Sequence, residues 1–94
     1  MDAIERIKAY MDENLFEPSR NWPLYETERR IYSRWAVTEI IEALSSRPMD
    51  FPEIVVEEFL IKMIIFSRDE DGLSNQMFVV AKEVAEDILH LIKT

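Results

Sequence analysis

The sequence predicts an all-α fold, a single domain built as a four-helix bundle with short interhelix turns. The chain has 94 residues, which suits one domain, and 48% of them are apolar, as in a globular protein. It contains only one glycine and four prolines, so it offers few places to turn. The prolines, at positions 18, 23, 48 and 52, divide the chain into blocks whose apolar residues recur at helical spacing.

The first helix is predicted from about Ala3 to Phe16. Asp2 is a favourable N-cap residue, and Glu5 follows it at the spacing of a capping box. One apolar stripe at helical spacing comprises Ile4, Ile7, Met11 and Leu15. Pro18 ends the block, because proline is poorly tolerated inside a helix.

The second helix is predicted from about Pro23 to Ser46, since proline is tolerated in a first turn. Its apolar stripe comprises Leu24, Tyr25, Ile31, Tyr32 and Trp35 in the first half and Val37, Ile40, Ile41 and Leu44 in the second. At about 100° per residue, the centre of the stripe moves by nearly half a turn at Trp35. We therefore expect either that the two halves contact different neighbours or that the helix breaks there.

The third helix has the clearest start. Asp50 is the predicted N-cap, Glu53 completes a capping box, and Pro52 occupies the first turn. We expect the helix to end near Phe66 or Ser67. The wide apolar stripe that should face the core comprises Val55, Val56, Phe59, Leu60 and Met63.

A second apolar stripe lies on the other side of this helix. It comprises Ile54, Ile61 and Ile65, flanked by Glu57, Glu58, Lys62 and Arg68. A helix that is apolar nearly all round is buried, which would place it at the centre of the bundle. Alternatively, the isoleucines form an exposed patch that contacts a second copy or a partner protein.

The fourth helix is predicted to begin after Gly72 with Ser74 as its N-cap. Its core stripe comprises Met77, Phe78, Ala81, Val84, Ala85, Ile88 and Ile92. His90 points away from this stripe, so we expect a solvated side chain near the helix C-terminus. Asp87 and His90 have the spacing of a carboxylate–histidine metal pair, but di-iron bundles need two such pairs and the chain has one histidine.

An acidic segment containing the only glycine, Gly72, joins the third and fourth helices. With Gly72 at position 6 of a calcium loop, Asp69 and Asp71 fall at positions 3 and 5. Positions 1 and 12 would then be Ser67 and Phe78, so the first carboxylate and the bidentate glutamate are both missing. We expect a polar turn and no calcium site.

Composition argues against catalysis. The chain has no cysteine, no Gly-x-Ser-x-Gly motif and no glycine-rich phosphate loop. Adjacent carboxylates such as Glu57 and Glu58 point about 100° apart on a helix, which is typical of a solvated face. The sequence therefore predicts a protein without catalytic, cofactor or metal residues.

The densest positive charge comprises Arg29, Arg30 and Arg34, interleaved with Tyr25, Tyr32 and Trp35. Such a pattern could bind nucleic acid, but the net charge of −8 repels phosphate backbones and anionic membranes. Tyr32 and Trp35 centre on a different face from Arg34, so we expect the aromatics in the core and the arginines in solvent. The arginines stay a weaker candidate site for an anionic protein partner.

The sequence favours a small, acidic interaction protein of bacterial type. The candidate interaction surface comprises Ile54, Ile61, Ile65, Glu57, Glu58 and Lys62. Its expected partner is a second copy, giving a homodimer, or an unidentified protein. The alternative is an immunity- or antitoxin-like acidic inhibitor whose carboxylates occupy the phosphate sites of a basic protein. The lack of cysteine and of an apolar N-terminal segment predicts a cytoplasmic location.

Overall fold

The predicted all-α architecture of four packed helices is confirmed. The computed structural model describes residues 2–15, 23–47, 51–67 and 74–93, and these contain no strand. The helices are α1 (Ala3–Asn14), α2 (Leu24–Ser46), α3 (Pro52–Ser67) and α4 (Asn75–Lys93). The largest fully buried side chains come from all four helices and are Ile7, Val37, Ile40, Val56 and Ile88. The helices therefore share one apolar core.

Helix α1 begins at the predicted residue and ends before the predicted one. The Asp2 carboxylate accepts a hydrogen bond of 2.8 Å from the backbone N–H of Glu5, which otherwise has no partner in the helix. The helix ends at Asn14, and the backbone N–H of Leu15 donates to the Met11 carbonyl oxygen at 2.8 Å. The predicted end at Phe16 lies outside the described residues.

Helix α2 is continuous through Trp35, and the predicted shift of its buried face is wrong. Its buried residues follow one straight stripe and are Ser33, Ala36, Val37, Ile40 and Leu44. Leu24, Tyr25 and Ile31 are 74%, 61% and 51% exposed. The small Ser33 side chain can face the core because its hydroxyl donates to the Arg29 carbonyl oxygen at 2.8 Å. Because serine is polar, a prediction from hydrophobicity alone does not place Ser33 in the core.

Helix α3 buries the wide stripe that its sequence predicts. Val55, Val56, Phe59 and Met63 are buried and Leu60 is half-buried. The helix packs mainly against α4 and α2. The Trp35 side chain of α2 is half-buried against the same core, with its ring near that of Phe59. The predicted N-cap, Asp50, lies outside the described residues.

Helix α4 also follows its predicted pattern. The Ser74 hydroxyl oxygen accepts a hydrogen bond of 3.2 Å from the backbone N–H of Met77, as expected of an N-cap. Val80 is 4% exposed and joins the predicted stripe, because it lies four residues before Val84 on the same face. His90 is exposed, as predicted. The acidic segment 69–72 lies outside the described residues.

Candidate interaction surface

The second stripe of α3 is exposed to solvent. Ile54, Ile61 and Ile65 are 45%, 58% and 57% exposed, so the central burial considered from the sequence is wrong for these residues. At about 100° per residue they lie on the side of α3 opposite the buried stripe. We call the exposed side of α3 that carries these isoleucines the outer face of α3.

The outer face of α3 is larger than its sequence predicts. Phe51 and Ile64 are also 72% and 40% exposed. Phe66 is 39% exposed but lies seven residues after Phe59, in line with the buried stripe. Phe51 precedes Ile54 by three residues, and Ile61 and Ile65 are four apart, so the 3–4 spacing of apolar residues could have identified Phe51. Sequence inspection missed it because it lies just before the first residue of the helix.

Charged side chains border the outer face of α3, as predicted. Glu57, Glu58 and Lys62 are all exposed. The Glu58 carboxylate accepts a hydrogen bond from the Arg47 guanidinium at the end of α2, forming an ion pair. The Lys62 ammonium lies 5.6 Å from the centroid of the Phe66 ring, a cation–π distance. Acidic and basic groups therefore lie on one helix beside an apolar stripe.

The candidate basic patch on α2 contacts other parts of the same chain. Arg29 donates to the Glu83 carboxylate of α4 at 2.5 Å, with both side chains about half exposed. This pair links α2 to α4 at the surface, where an ion pair contributes at most about 1 kcal/mol.

The other two arginines bind the C-terminal end of α1. Arg30 donates to the Asn14 carbonyl oxygen and Arg34 to the Leu15 carbonyl oxygen. The last carbonyls of a helix lack intrahelical donors and carry the negative end of the helix dipole, which a guanidinium neutralises. The expectation that Arg34 is solvated is wrong, since it is half-buried in this contact. These arginines hold α1 against α2.

A polar cavity of about 440 Å³ lies beside these arginines, between α1, α2 and α4. The Tyr10 hydroxyl donates to the Asp87 carboxylate at 3.3 Å. Burial raises the pKa of Tyr10, and the negative charge and hydrogen bond of Asp87 raise it further, while Arg30 opposes them. The Tyr10–Asp87 contact adds a polar link between α1 and α4.

No family model, curated protein or solved structure matches this chain. In the described ranges no three His, Asp or Glu side chains lie close enough together to hold a metal ion. The same ranges contain no helix that is both long and apolar enough to cross a lipid bilayer.

Proposed function

We propose that this protein is a non-catalytic interaction protein that forms a homodimer through the outer face of α3. The observation that carries the proposal is the exposure of Ile54, Ile61 and Ile65, which are 45–58% exposed opposite a stripe that already faces the core. Apolar surface left in water costs roughly 25 cal/mol per Å², so a second molecule that covers it stabilises the complex. Apolar patches bordered by charge commonly mark protein contacts.

A second copy of the chain fits this face because its border carries both signs of charge. Glu58 lies four residues before Lys62 on one side of the isoleucine stripe, and Glu57 lies on the other side. A two-fold interface presents one patch to itself, so a patch with both signs can place each carboxylate near the partner's ammonium. The dimer would be cytoplasmic, in keeping with a chain that has no cysteine to form disulfides.

Inhibition of a basic protein is a second candidate function. A groove of about 450 Å³ between α2 and α3 is lined by Glu39, Glu42 and Glu58, together with the cations Arg47 and Lys62. The net charge of −8 would attract a basic partner to it. The two cations leave the groove with an excess of only one negative charge, so we rank this function below self-association. Binding that weakens steeply with added salt would support it.

Sedimentation equilibrium tests the proposed dimer. The wild type should sediment as a dimer, and Ile61→Asp should become monomeric while keeping its helical circular dichroism, because a carboxylate is costly only where the dimer buries it. Leu24→Asp is the matched control, since Leu24 is an exposed apolar residue on α2 and is 74% exposed. It should leave the dimer intact.

Two results would contradict the proposal. A wild type that remains monomeric at millimolar concentration would exclude self-association. A dimer that tolerates Ile61→Asp would place the contact on another surface. Loss of helical structure in Ile61→Asp would show that the side chain is needed inside the single chain; Ile65→Asp, at a position 57% exposed, then repeats the test.

A further inference from the structure

We infer that the two copies pair with their α3 helices antiparallel. In the inferred register, Ile54 of each chain contacts Ile65 of the other, and Glu58 of each chain faces Lys62 of the other. The inference rests on the proposed function, because it specifies how the two copies meet.

The spacing of the exposed residues is that of a coiled-coil seam. The residues that follow one another at intervals of three, four, three and four are Phe51, Ile54, Glu58, Ile61 and Ile65, and all are exposed. Such a stripe packs against a second helix at a crossing angle of about 20°, with side chains interdigitating. It extends along all of α3, whose 16 residues span about 24 Å.

The polar residue in this seam selects the antiparallel orientation. In a parallel pair each seam residue meets its own copy, so the two Glu58 carboxylates would lie against each other, although each is also bound to Arg47 of its own chain. Like charges directly opposite one another are destabilising. An antiparallel pair separates them, and it also aligns the two helix dipoles favourably.

The positions of Glu58 and Lys62 select the register. They are four residues apart and lie on the same side of the isoleucine stripe at about 100° per residue. In an antiparallel pair, side chains on the same side of the two seams meet. A two-fold axis at the level of residue 60 therefore places Glu58 opposite the partner's Lys62, and the same axis produces the second, identical contact. Glu58 is 51% exposed beside its own Arg47, so the partner's Lys62 can approach the same carboxylate.

The same axis also brings the apolar residues together. Ile54 then lies about 1.5 Å along the helix axis from the partner's Ile65, and Ile61 lies about 3 Å from its own copy. In contrast, the two Ile54 residues are about 18 Å apart along the axis and the two Ile65 residues about 15 Å apart. This pattern differs from a parallel pair, in which every residue lies beside its copy.

Disulfide cross-linking distinguishes the two orientations, because the chain has no cysteine of its own. A disulfide forms only between residues whose Cα atoms come within about 7 Å. We expect Ile61→Cys alone to form a disulfide between its two copies. We expect a mixture of Ile54→Cys and Ile65→Cys to form the disulfide that joins one variant to the other. Non-reducing electrophoresis followed by mass spectrometry identifies each cross-linked dimer. Ile54→Cys alone and Ile65→Cys alone should cross-link no more than Leu24→Cys, a control for random collision.

The two interchain contacts between Glu58 and Lys62 provide an independent test of the register. Lys62→Glu should weaken the dimer by about tenfold, because two ion pairs become repulsive contacts. Mixing Lys62→Glu with Glu58→Lys should give a heterodimer tighter than either homodimer, since one interchain pair then keeps its original sign and the other is restored with reversed sign.

The outcomes separate this inference from the proposed function. Efficient self-cross-linking by Ile54→Cys and by Ile65→Cys would overturn the antiparallel register while leaving the α3 dimer in place. A wild-type dimer in which none of the three α3 cysteines cross-links would overturn the register and the α3 contact together. A monomeric wild type would overturn the proposed function itself. The mixed 54–65 disulfide, with no self-cross-link at either end, supports the inference.

Discussion

The indole ring of Trp35 and the phenyl ring of Phe59 lie with their centroids 6.4 Å apart and their planes tilted by 53°. This distance is within the range at which tilted aromatic pairs attract each other. The contact joins α2 to the buried stripe of α3. It explains how Trp35 belongs to the core although Leu24 and Ile31 on the same helix are exposed.

Trp35→Ala should lower the free energy of unfolding by about 3 kcal/mol, the low end for a large aromatic because the side chain is only half-buried. A double-mutant cycle with Phe59→Leu should give a coupling energy of about 0.5–1.5 kcal/mol in urea denaturation. Leu24→Ala, at a position 74% exposed, should change stability by less than about 0.5 kcal/mol. A coupling energy of zero would mean that the rings do not interact.

Arg34→Ala should destabilise the fold more than Arg29→Ala. Arg34 donates to the Leu15 carbonyl oxygen at the end of α1, and its loss should cost about 1–2 kcal/mol. Arg29 forms an exposed ion pair with Glu83, whose loss should cost under about 1 kcal/mol. Both variants remove one positive charge, so each controls for the change in net charge. The reverse order in chemical denaturation would contradict the capping role of Arg34.

The Asp2 cap of α1 should stabilise the protein by about 1 kcal/mol. Its carboxylate accepts the backbone hydrogen bond of Glu5 at 2.8 Å, so Asp2→Ala leaves that N–H without its protein partner. Asp2→Asn is the control, because asparagine keeps an oxygen acceptor and removes the charge. If thermal unfolding shows equal losses for the two variants, the charge of Asp2 matters and its hydrogen bond does not.

Tyr10 should make stability depend on pH in the alkaline range. Burial, followed by the charge and hydrogen bond of Asp87, raises the pKa of Tyr10 above its ordinary value of 10.0. The folded state therefore holds this proton more tightly than the unfolded chain does. The resulting stabilisation is present below about pH 10 and is lost as pH rises through the folded pKa.

The measurement is the difference in unfolding free energy between the wild type and Tyr10→Phe at several pH values. Phenylalanine keeps the ring and removes the titrating hydroxyl. The free energy of unfolding of the wild type should exceed that of Tyr10→Phe by a constant amount below about pH 10, and this difference should shrink above it. A difference that stays constant through the alkaline range would show that Tyr10 does not titrate differently on folding.

Local signals in the sequence identified most of the fold. Prolines, the caps at Asp2 and Ser74, and the 3.6-residue period predicted the four helices and the inner faces of α1, α3 and α4. These signals depend on neighbouring residues along the chain, so they are readable without knowing what packs against each helix. The isoleucine stripe and its charged border were also readable, because spacing alone places them on one side of α3.

Only the tertiary structure decided which side of α2 is buried, whether the second stripe of α3 is exposed and where the arginines bind. Periodicity reports the direction of one side chain relative to the next on the same helix, but not what lies across from it. The two apolar stripes of α3 were therefore both candidates for the core until packing against α2 and α4 buried Val56 and left Ile61 in solvent. Likewise, the end of α1 accepts hydrogen bonds from Arg34 because folding brings together two segments 19 residues apart, a contact that no local pattern encodes.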